Sequence, residues 1–218
     1  MPSLPYVVPF AVFLLFVGFG AKLPIGSVGL GALWLGVVGL LLLTIGRSAL
    51  DFRTRRPWKS ILVGLAVFAI WIAPDLLVTG YRDHWLFHNA VVGRATPFGP
   101  AEARTDPLSL ALRAARALLV VPLVEEPFWR GWLPRWVEDP QDFRRIPVGS
   151  YTPFAFGATA VLFAAEHGSY WDVGLVAGLI YNWWMRHTKS LGDLILTHGV
   201  TNTALGAYVV LGGKWDYW

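Results

Sequence analysis

Cysteine is absent from the 218 residues, and charged residues are scarce. Without cysteine the chain forms no disulfide bonds, binds no metal through thiolates and has no cysteine nucleophile. Asp, Glu, Lys and Arg make up 15% of the chain, against about 25% in a typical soluble domain. The N-terminus also lacks a basic stretch followed by a cleavage site of small residues. We therefore expect its first apolar segment to be a mature helix and not a signal peptide.

Hydrophobic residues make up 55% of the chain and recur in long runs. Runs of about 20 apolar residues are long enough to span a bilayer core of about 30 Å. We predict an all-α, polytopic membrane bundle of about seven to eight transmembrane helices, in which residues 1–218 form a single integral-membrane domain. The predicted spans are 4–21, 26–46, 60–80, 108–136, 152–169, 171–187 and 190–212.

The basic residues lie mainly between the apolar runs, so the net charge of +4 does not indicate a nucleic-acid partner. Cytoplasmic loops of membrane proteins are enriched in Lys and Arg. The loop RSALDFRTRRPWK is therefore predicted to lie inside, which puts the N-terminus inside and, for seven spans, the C-terminus outside. We expect a bacterial or archaeal inner membrane, with the lipid bilayer as a partner and an oligomeric state that the sequence leaves open. Five tryptophans are predicted to form an inner aromatic belt: Trp129, Trp132, Trp136, Trp183 and Trp184.

Two adjacent glutamates interrupt the apolar run LLVVPLVEEPFWRGW. Charges at membrane depth are costly and usually mark a functional site. On a helix Glu126 and Arg130 are four residues apart and can pair on one face, while Glu125 is rotated from Glu126 by about 100°. The sequence predicts one paired carboxylate and one that is available as an acid or base. The alternative is that Glu126 and Arg130 form a purely structural ion pair.

Two later spans, 152–169 and 190–212, also carry polar residues at helical spacing. Phe163 and His167 are four residues apart, as are His198 and Asn202. The alternative for His167 is a position at the membrane interface. The alternative for His198 and Asn202 is that they form hydrogen bonds between helices. We assign Glu166 no role, because a residue next to His167 on a helix faces elsewhere. Together a carboxylate, two imidazoles and an amide can activate water and stabilise an oxyanion.

The longest predicted loop, 81–107, contains His84 and His88, which would share a face if this segment were helical. The interpretation that we favour is an amphipathic segment at the membrane interface. A pair of histidines without a third ligand does not define a metal site. No metal and no cofactor are assigned from the sequence.

Three motifs together resemble the CPBP family, also called Abi, which includes CAAX-processing endopeptidases of the Ras-converting type and bacterial relatives. The family motifs EExxxR, FxxxH and HxxxN occur in that order on successive membrane helices. The matching segments here are EEPFWRG, FAAEH and THGVTN, and the resemblance covers roughly residues 108–205. Within predicted core catalytic helices at about 108–212, the candidate catalytic residues are Glu125, Glu126, Arg130, His167, His198 and Asn202.

The resemblance implies an intramembrane protease that depends on glutamate. Carried over to this chain, Glu125 with His167 would bind and activate water, and His198 with Asn202 would stabilise the oxyanion. Glu126 and Arg130, the other two residues of the first motif, would organise the site or contact the substrate. The implied substrate is a membrane-anchored protein or peptide cut near its C-terminal tail, either a CAAX-type tail or a sorting tail.

Two alternatives from other functional classes stay open at this point. One is a non-catalytic membrane scaffold or a bacteriocin self-immunity protein on the same fold, because a fold does not settle function. The other is a metal-dependent hydrolase or ion carrier in which Glu125, His167 and His198 hold zinc.

The predicted spans also impose a geometric requirement on the site. A simple orientation puts His167 near the outer end of span five and Glu125 in the inner half of span four. The two side chains can meet only if span five is tilted or short. Pro127 directly follows the glutamate pair and is expected to disturb the helix, which would turn Glu125 toward the cavity.

Overall fold

Seven helices build the fold in the computed structural model, which describes residues 1–95 and 101–218. No β-strand occurs within these ranges, so the predicted all-α class is confirmed. The helices are α1 (Leu4–Phe19), α2 (Ser27–Leu43), α3 (Pro57–Leu77), α4 (Pro107–Glu138), α5 (Pro153–Ala165), α6 (Trp171–Thr188) and α7 (Leu191–Gly212).

Four helical segments are long and apolar enough to cross a membrane: Leu4–Lys22, Pro57–Leu77, Pro107–Glu138 and Leu191–Gly212. The apolar helices α2 and α5 are shorter. Many large apolar side chains on the helices point outward, such as Leu43 and Leu211, which are 76% and 87% exposed. Such a surface is unfavourable in water and favourable in lipid, so the chain is an integral membrane protein.

The long helix α4 begins at a side-chain cap and changes its winding twice. The Asp106 carboxylate accepts a hydrogen bond from the Ser109 backbone N–H at 2.7 Å, and hydrogen bonding to Ser109 lowers the pKa of Asp106. Two stretches of α4, Arg116–Val120 and Pro127–Trp132, have π-helical hydrogen bonds. A π-bulge inside an α-helix often lies at a functional site.

Pro122 explains how the first π-helical stretch is joined to α7. In this stretch the N–H of Val121 donates to the carbonyl of Arg116, five residues earlier. Pro122 has no N–H, so the next carbonyl in the series, that of Ala117, lacks its helical partner. The Asn202 side-chain amide donates to this carbonyl at 2.8 Å. A proline in one helix thus fixes an amide of another helix.

A buried carboxylate joins the start of α7 to the start of α3. Asp193 accepts hydrogen bonds from the backbone N–H groups of Arg55 and Arg56, at 2.7 and 3.0 Å, and from the Ser60 hydroxyl at 2.7 Å. The Ser190 side chain caps α7 by accepting from the Asp193 N–H. The two helices therefore start at the same end of the bundle.

Helix α5 is short, as the convergence of the predicted site residues requires. Its 13 residues rise about 20 Å, which is less than the bilayer core. His167 follows this short helix directly, at the start of a 3₁₀ turn. The chain therefore turns back before it has crossed the full bilayer thickness, and His167 lies within the protein.

The predicted tryptophan belt is wrong for three of its five members. Trp129, Trp132 and Trp184 are buried in the protein core, whereas Trp136 and Trp183 are exposed. A buried indole usually places its N–H against a partner, and each of the three does so. Their Nε1 atoms donate to the Glu166 carboxylate, the Ser3 hydroxyl and the Ser60 hydroxyl, respectively.

The histidine pair of the long loop does not lie on a helix. A 3₁₀ turn covers Tyr81–Asp83, and turns and bends follow it, so His84 and His88 do not share a helical face. Residues 96–100 of the predicted interfacial segment lie outside the described residues. In the part of the chain that the structure describes, no group of three or more His, Asp or Glu side chains is arranged to hold a metal ion.

Gly64 sets how closely α3 and α7 approach each other. A Cβ atom at Gly64 would lie 2.5 Å from the Thr197 carbonyl oxygen and 2.9 Å from the Val200 Cβ. Because a backbone atom must then move, we expect Gly64→Ala to destabilise the protein by about 1–3 kcal/mol. A fall in the melting temperature of the protein in detergent measures this effect. Gly36→Ala in α2 is the control, because no atom lies within 4 Å of the added Cβ. Equal melting temperatures for the two variants contradict the prediction.

Candidate active site

A cavity of about 220 Å³ lies between the helices. Its wall contains Glu125 of α4, His167 after α5, and His198 and Asn202 of α7. The structure therefore brings the four residues that were predicted to act on water and the oxyanion to one cavity. The rest of the wall is largely aromatic and aliphatic.

The other two residues of the first motif lie beside this cavity in a buried ion pair. Arg130 Nη1 donates to Glu126 Oε1 at 3.2 Å, and the side chains are 1% and 0% exposed. The same Glu126 oxygen lies 2.7 Å from His198 Nδ1. The predicted pairing of Glu126 with Arg130 is present, and the carboxylate also orients one imidazole of the cavity.

Arg130 is held by contacts that the sequence did not reveal. Its guanidinium carbon lies 4.2 Å from the centre of the Phe163 ring and 5.1 Å from that of Tyr181. Its Nε donates to the Asn182 side-chain oxygen at 3.2 Å. Asn182 in turn donates to the Thr159 hydroxyl at 2.9 Å. An amide inside the apolar run of α6 was the signal that could have identified Asn182.

Glu125 does not take part in the ion pair. It is 5% exposed and lines the cavity, and its Oε2 atom has no hydrogen-bond partner among the described residues. The Glu166 carboxyl group is a close neighbour that interacts with it electrostatically. Glu125 is therefore a buried carboxyl group whose oxygen is available to a molecule in the cavity.

Glu166 is the site residue that sequence reasoning missed. Glu166 would face away from the site only if the helix continued through His167, but α5 ends at Ala165. Beyond that end, neighbouring residues no longer follow the 100° helical rotation. The Trp129 indole N–H donates to Glu166 Oε1 at 3.1 Å, which fixes this carboxyl group next to Glu125. A glutamate directly before a candidate catalytic histidine was the available signal.

The hydrogen bonding of His167 defines which ring nitrogen faces the cavity. Its Nδ1 lies 2.7 Å from the Phe163 carbonyl oxygen. A carbonyl oxygen only accepts, so Nδ1 must carry the proton. Nε2 of the neutral ring is then an acceptor. The rings of Trp71 and Phe163 pack on the imidazole at centroid distances of 5.2 and 4.6 Å, which keeps it in this orientation.

Asn202 retains hydrogen-bonding capacity after its contact with α4. A side-chain amide has two N–H groups, and the bond to the Ala117 carbonyl uses one of them. The second is available in the cavity. At the adjacent position in α7, Thr201 accepts a hydrogen bond from the Tyr181 hydroxyl at 2.8 Å and donates to the Gly64 carbonyl at 3.0 Å. These bonds fix the cavity face of α7 against α3.

The last residues of the sequence cover one part of the cavity. Tyr217 and Trp218 belong to its wall. The Tyr217 hydroxyl donates to Asp75 Oδ2 at 3.0 Å. Burial and the neighbouring Asp75 carboxylate raise the pKa of Tyr217, so this hydroxyl stays protonated and continues to donate near neutral pH.

These elements define a helical integral membrane protein with a buried acid–imidazole–amide site. Such a set of groups suits the addition of water to a carbonyl group: acceptors to orient and deprotonate the water, and donors for the oxygen that becomes negative.

A family model described as type II CAAX prenyl endopeptidase Rce1-like matches residues 107–204. The resemblance that the three motifs predicted is therefore confirmed, and this segment of the chain carries the Rce1-like pattern. The segment includes α4 to α6 and most of α7, and thus all six candidate catalytic residues. No match was found among curated proteins or among solved structures.

Removing one charge from the buried ion pair is expected to be costly. Glu126→Gln leaves the Arg130 guanidinium buried without a carboxylate, a change that costs about 3–5 kcal/mol in buried pairs. The control is Asp51→Asn, which removes the partner of Arg53 in an exposed pair, where the expected cost is below about 1 kcal/mol. Thermal unfolding in detergent compares the two variants. A Glu126→Gln protein as stable as Asp51→Asn would show that Arg130 does not need this carboxylate.

Proposed function

We propose that the protein is an intramembrane endopeptidase in which Glu125 and His167 activate a water molecule. The observation that carries this proposal is the common cavity of Glu125, His167, His198 and Asn202. The family match over residues 107–204 supports a protease of the CAAX type. We further propose that residues 1–218 act as one integral-membrane domain, with the catalytic helices at about 108–212.

In the first step a water molecule lies between the two acceptors. It donates one hydrogen bond to the Glu125 carboxylate and one to Nε2 of His167. Glu125 takes a proton as the water oxygen attacks the carbonyl carbon of the scissile peptide bond. The carbonyl π bond opens, and its oxygen becomes the oxyanion of a tetrahedral intermediate.

The oxyanion is stabilised from α7. The second N–H of Asn202 donates to it, and His198 does so through Nε2 in its doubly protonated form, with Glu126 accepting from Nδ1. When the intermediate collapses, the C–N bond breaks and the leaving amine takes the proton from Glu125. Arg130 keeps Glu126 in place and so positions His198 without touching the reacting atoms.

The proposed substrate is a membrane-anchored protein or peptide that is cut near its C-terminal tail, either a CAAX-type tail or a sorting tail. The aromatic and aliphatic wall of the cavity suits the apolar side chains of such a tail. Because the site is within a membrane protein, an anchored substrate reaches it by diffusion in the bilayer.

The decisive experiment measures peptide cleavage by the full chain in liposomes. The probe is a farnesylated peptide with a CAAX-type end, and a membrane-anchored peptide without the prenyl group is tested in parallel. We expect Glu125→Gln and His167→Ala each to lower the rate by about 100-fold or more, because acid–base catalysis contributes about 10²–10⁴. Asn202→Ala is expected to cost about 100-fold or more through the lost oxyanion donor.

The matched control is Glu102→Gln, which makes the same chemical change at an exposed position and should retain the wild-type rate. Melting temperatures separate loss of catalysis from loss of folding. If Glu125→Gln cleaves as fast as the wild type, or if the wild type cleaves neither peptide, the scaffold or self-immunity alternative is favoured. Loss of activity after strict chelation would favour the metal-dependent alternative.

We also propose that the protein lies in a bacterial or archaeal inner membrane with its N-terminus inside. Basic segments share one end of the bundle. The Arg55 backbone is bonded to Asp193 at the start of α7, and Ser3 near the N-terminus is bonded to Trp132 in the last part of α4. Arg-rich loops at this end favour the cytoplasmic side.

A pair of reporter fusions tests this orientation. A fluorescent protein at the N-terminus is expected to be fluorescent in the cytoplasm. Alkaline phosphatase at the C-terminus is expected to be active outside, because α7 starts beside the Arg-rich segment and is long enough to cross the membrane. An active phosphatase on the N-terminus contradicts the orientation. If both reporters lie on the same side, the chain crosses the membrane an even number of times, which also contradicts the proposed orientation.

A further inference from the structure

The residues after α7 turn back toward the helix that they follow. Gly213 has a left-handed backbone conformation with φ +65°, and the Lys214 N–H donates to the Val209 carbonyl at 3.1 Å. This arrangement is a common way to end a helix and reverse the chain. A 3₁₀ turn, Trp215–Tyr217, comes next. We call residues 214–218 the return segment, because its last residues lie beside α7 and the catalytic cavity.

Trp218 brings an indole ring of the return segment into the wall of the catalytic cavity. A Cβ atom at Gly206 of α7 would lie 3.1 Å from this ring, so glycine at this position leaves the room that the indole takes. On the α4 side, the Arg113 guanidinium carbon lies 5.2 Å from the ring centre. The indole therefore fills the space between α4 and α7 at this edge of the cavity.

Tyr217 of the return segment separates the catalytic cavity from a second cavity, and it belongs to both walls. The second cavity has a volume of about 360 Å³, and we call it the vestibule. Unlike the catalytic cavity, the vestibule is lined by several charged residues of both signs: Asp75, Arg82, Asp83, Arg94, Lys214 and Asp216. Water occupies roomy cavities that are polar, whereas apolar cavities stay dry. The vestibule is therefore the water-filled space next to the catalytic cavity.

The vestibule lies at the end of the bundle that is opposite Asp193. Ser60 in the first turn of α3 is bonded to Asp193, whereas Asp75 lies in the last turn of the same helix. Exposed charges in a membrane protein are stable where they meet water and costly in lipid. Because four charged residues of the vestibule are exposed, it opens to the aqueous phase at this end: Asp83, Arg94, Lys214 and Asp216.

Two hydrogen bonds and ring packing hold the return segment in place. The Tyr217 hydroxyl donates to Asp75 Oδ2 at 3.0 Å, and the Tyr170 hydroxyl donates to the Asp216 backbone carbonyl at 3.2 Å. The rings of Tyr170 and Tyr208 pack on Tyr217 with centroid distances of 5.2 and 5.8 Å. A short, partly exposed segment opens at a lower free energy than the helices of a core. Tyr217 can therefore leave its place while the bundle stays folded.

We propose that the return segment is a gate between the vestibule and the catalytic cavity. In the closed state Tyr217 is bonded to Asp75 and fills the passage together with Trp218. When this hydrogen bond breaks, the segment moves at Gly213, and water passes from the vestibule into the cavity. Each hydrolysis consumes one water molecule, and the largely apolar wall around Glu125 makes such a route necessary. This use of the water rests on the proposed protease function, whereas the gating itself does not.

A single thiol in the catalytic cavity tests the gate. Because the chain has no cysteine, Leu205→Cys provides one thiol in the cavity wall. The full chain in detergent is treated with a water-soluble, positively charged methanethiosulfonate reagent, and mass spectrometry gives the labelling rate. We expect Tyr217→Phe to raise this rate by about tenfold to a hundredfold, because it removes a hydrogen bond to a charged group. Trp218→Ala, which removes the indole, is also expected to raise it.

Tyr81→Phe is the matched control, because it removes the same kind of bond at the same end of the bundle. The Tyr81 hydroxyl donates to Asp172 Oδ2 at 3.1 Å, and Tyr81 is not among the described residues of either cavity wall. This variant should leave the labelling rate at position 205 unchanged. A second probe, Val38→Cys, lies in the core with 0% exposure and reports unfolding of the bundle. Tyr217→Phe should leave the labelling of this probe unchanged.

The outcomes separate the gate from the proposed function. Faster labelling at position 205 alone supports the gate. Equal labelling with and without Tyr217→Phe and Trp218→Ala overturns it, and so does a parallel rise at position 38, because the whole bundle then loosens. The labelling requires no cleavage. If the wild type cleaves neither peptide while both gate variants are labelled faster, the protease function fails and the gate remains.

Discussion

The arrangement of the site depends on the buried ion pair between Glu126 and Arg130. Two charges removed from water are tolerated in a protein interior when they pair with each other in good geometry. Arg130 pairs with Glu126, donates to Asn182 and lies against the faces of two aromatic rings, while Arg130 Nη2 and Glu126 Oε2 have no hydrogen-bond partner among the described residues. This requirement brings α4, α5, α6 and α7 to one point. The cavity forms next to that point, and Glu126 also orients His198 across it.

Backbone irregularities in α4 and α5 hold polar side chains at the cavity in positions that regular helices could not provide. Pro122 leaves a carbonyl without a helical partner, and Asn202 donates to it. The early end of α5 places His167 within the protein and turns Glu166 toward Glu125. In lipid every free carbonyl must find a donor from the protein itself. An interruption of a membrane helix leaves backbone groups that polar side chains of other helices can bond. Here this happens at the cavity.

The arrangement also separates two kinds of carboxylate in one short sequence. Adjacent residues of a helix face directions about 100° apart, so Glu126 points to the ion pair and Glu125 to the cavity. The ion pair keeps its neighbours rigid, while Glu125 stays available to a molecule in the cavity. The family match covers the same helices.

The sequence alone determined the helical membrane class, the approximate number of helices and the Glu126–Arg130 pair, because hydropathy and i, i+4 spacing are local properties of the chain. It also selected Glu125, His167, His198 and Asn202, since polar residues are conspicuous in apolar runs. The tertiary structure decided what depends on contacts between helices. It buried Trp129 and Trp132 in the core instead of a belt, brought Glu166 to the site through the end of α5, and placed Asn182 against Arg130. These contacts join residues far apart in the chain, and no local pattern encodes which helix faces meet.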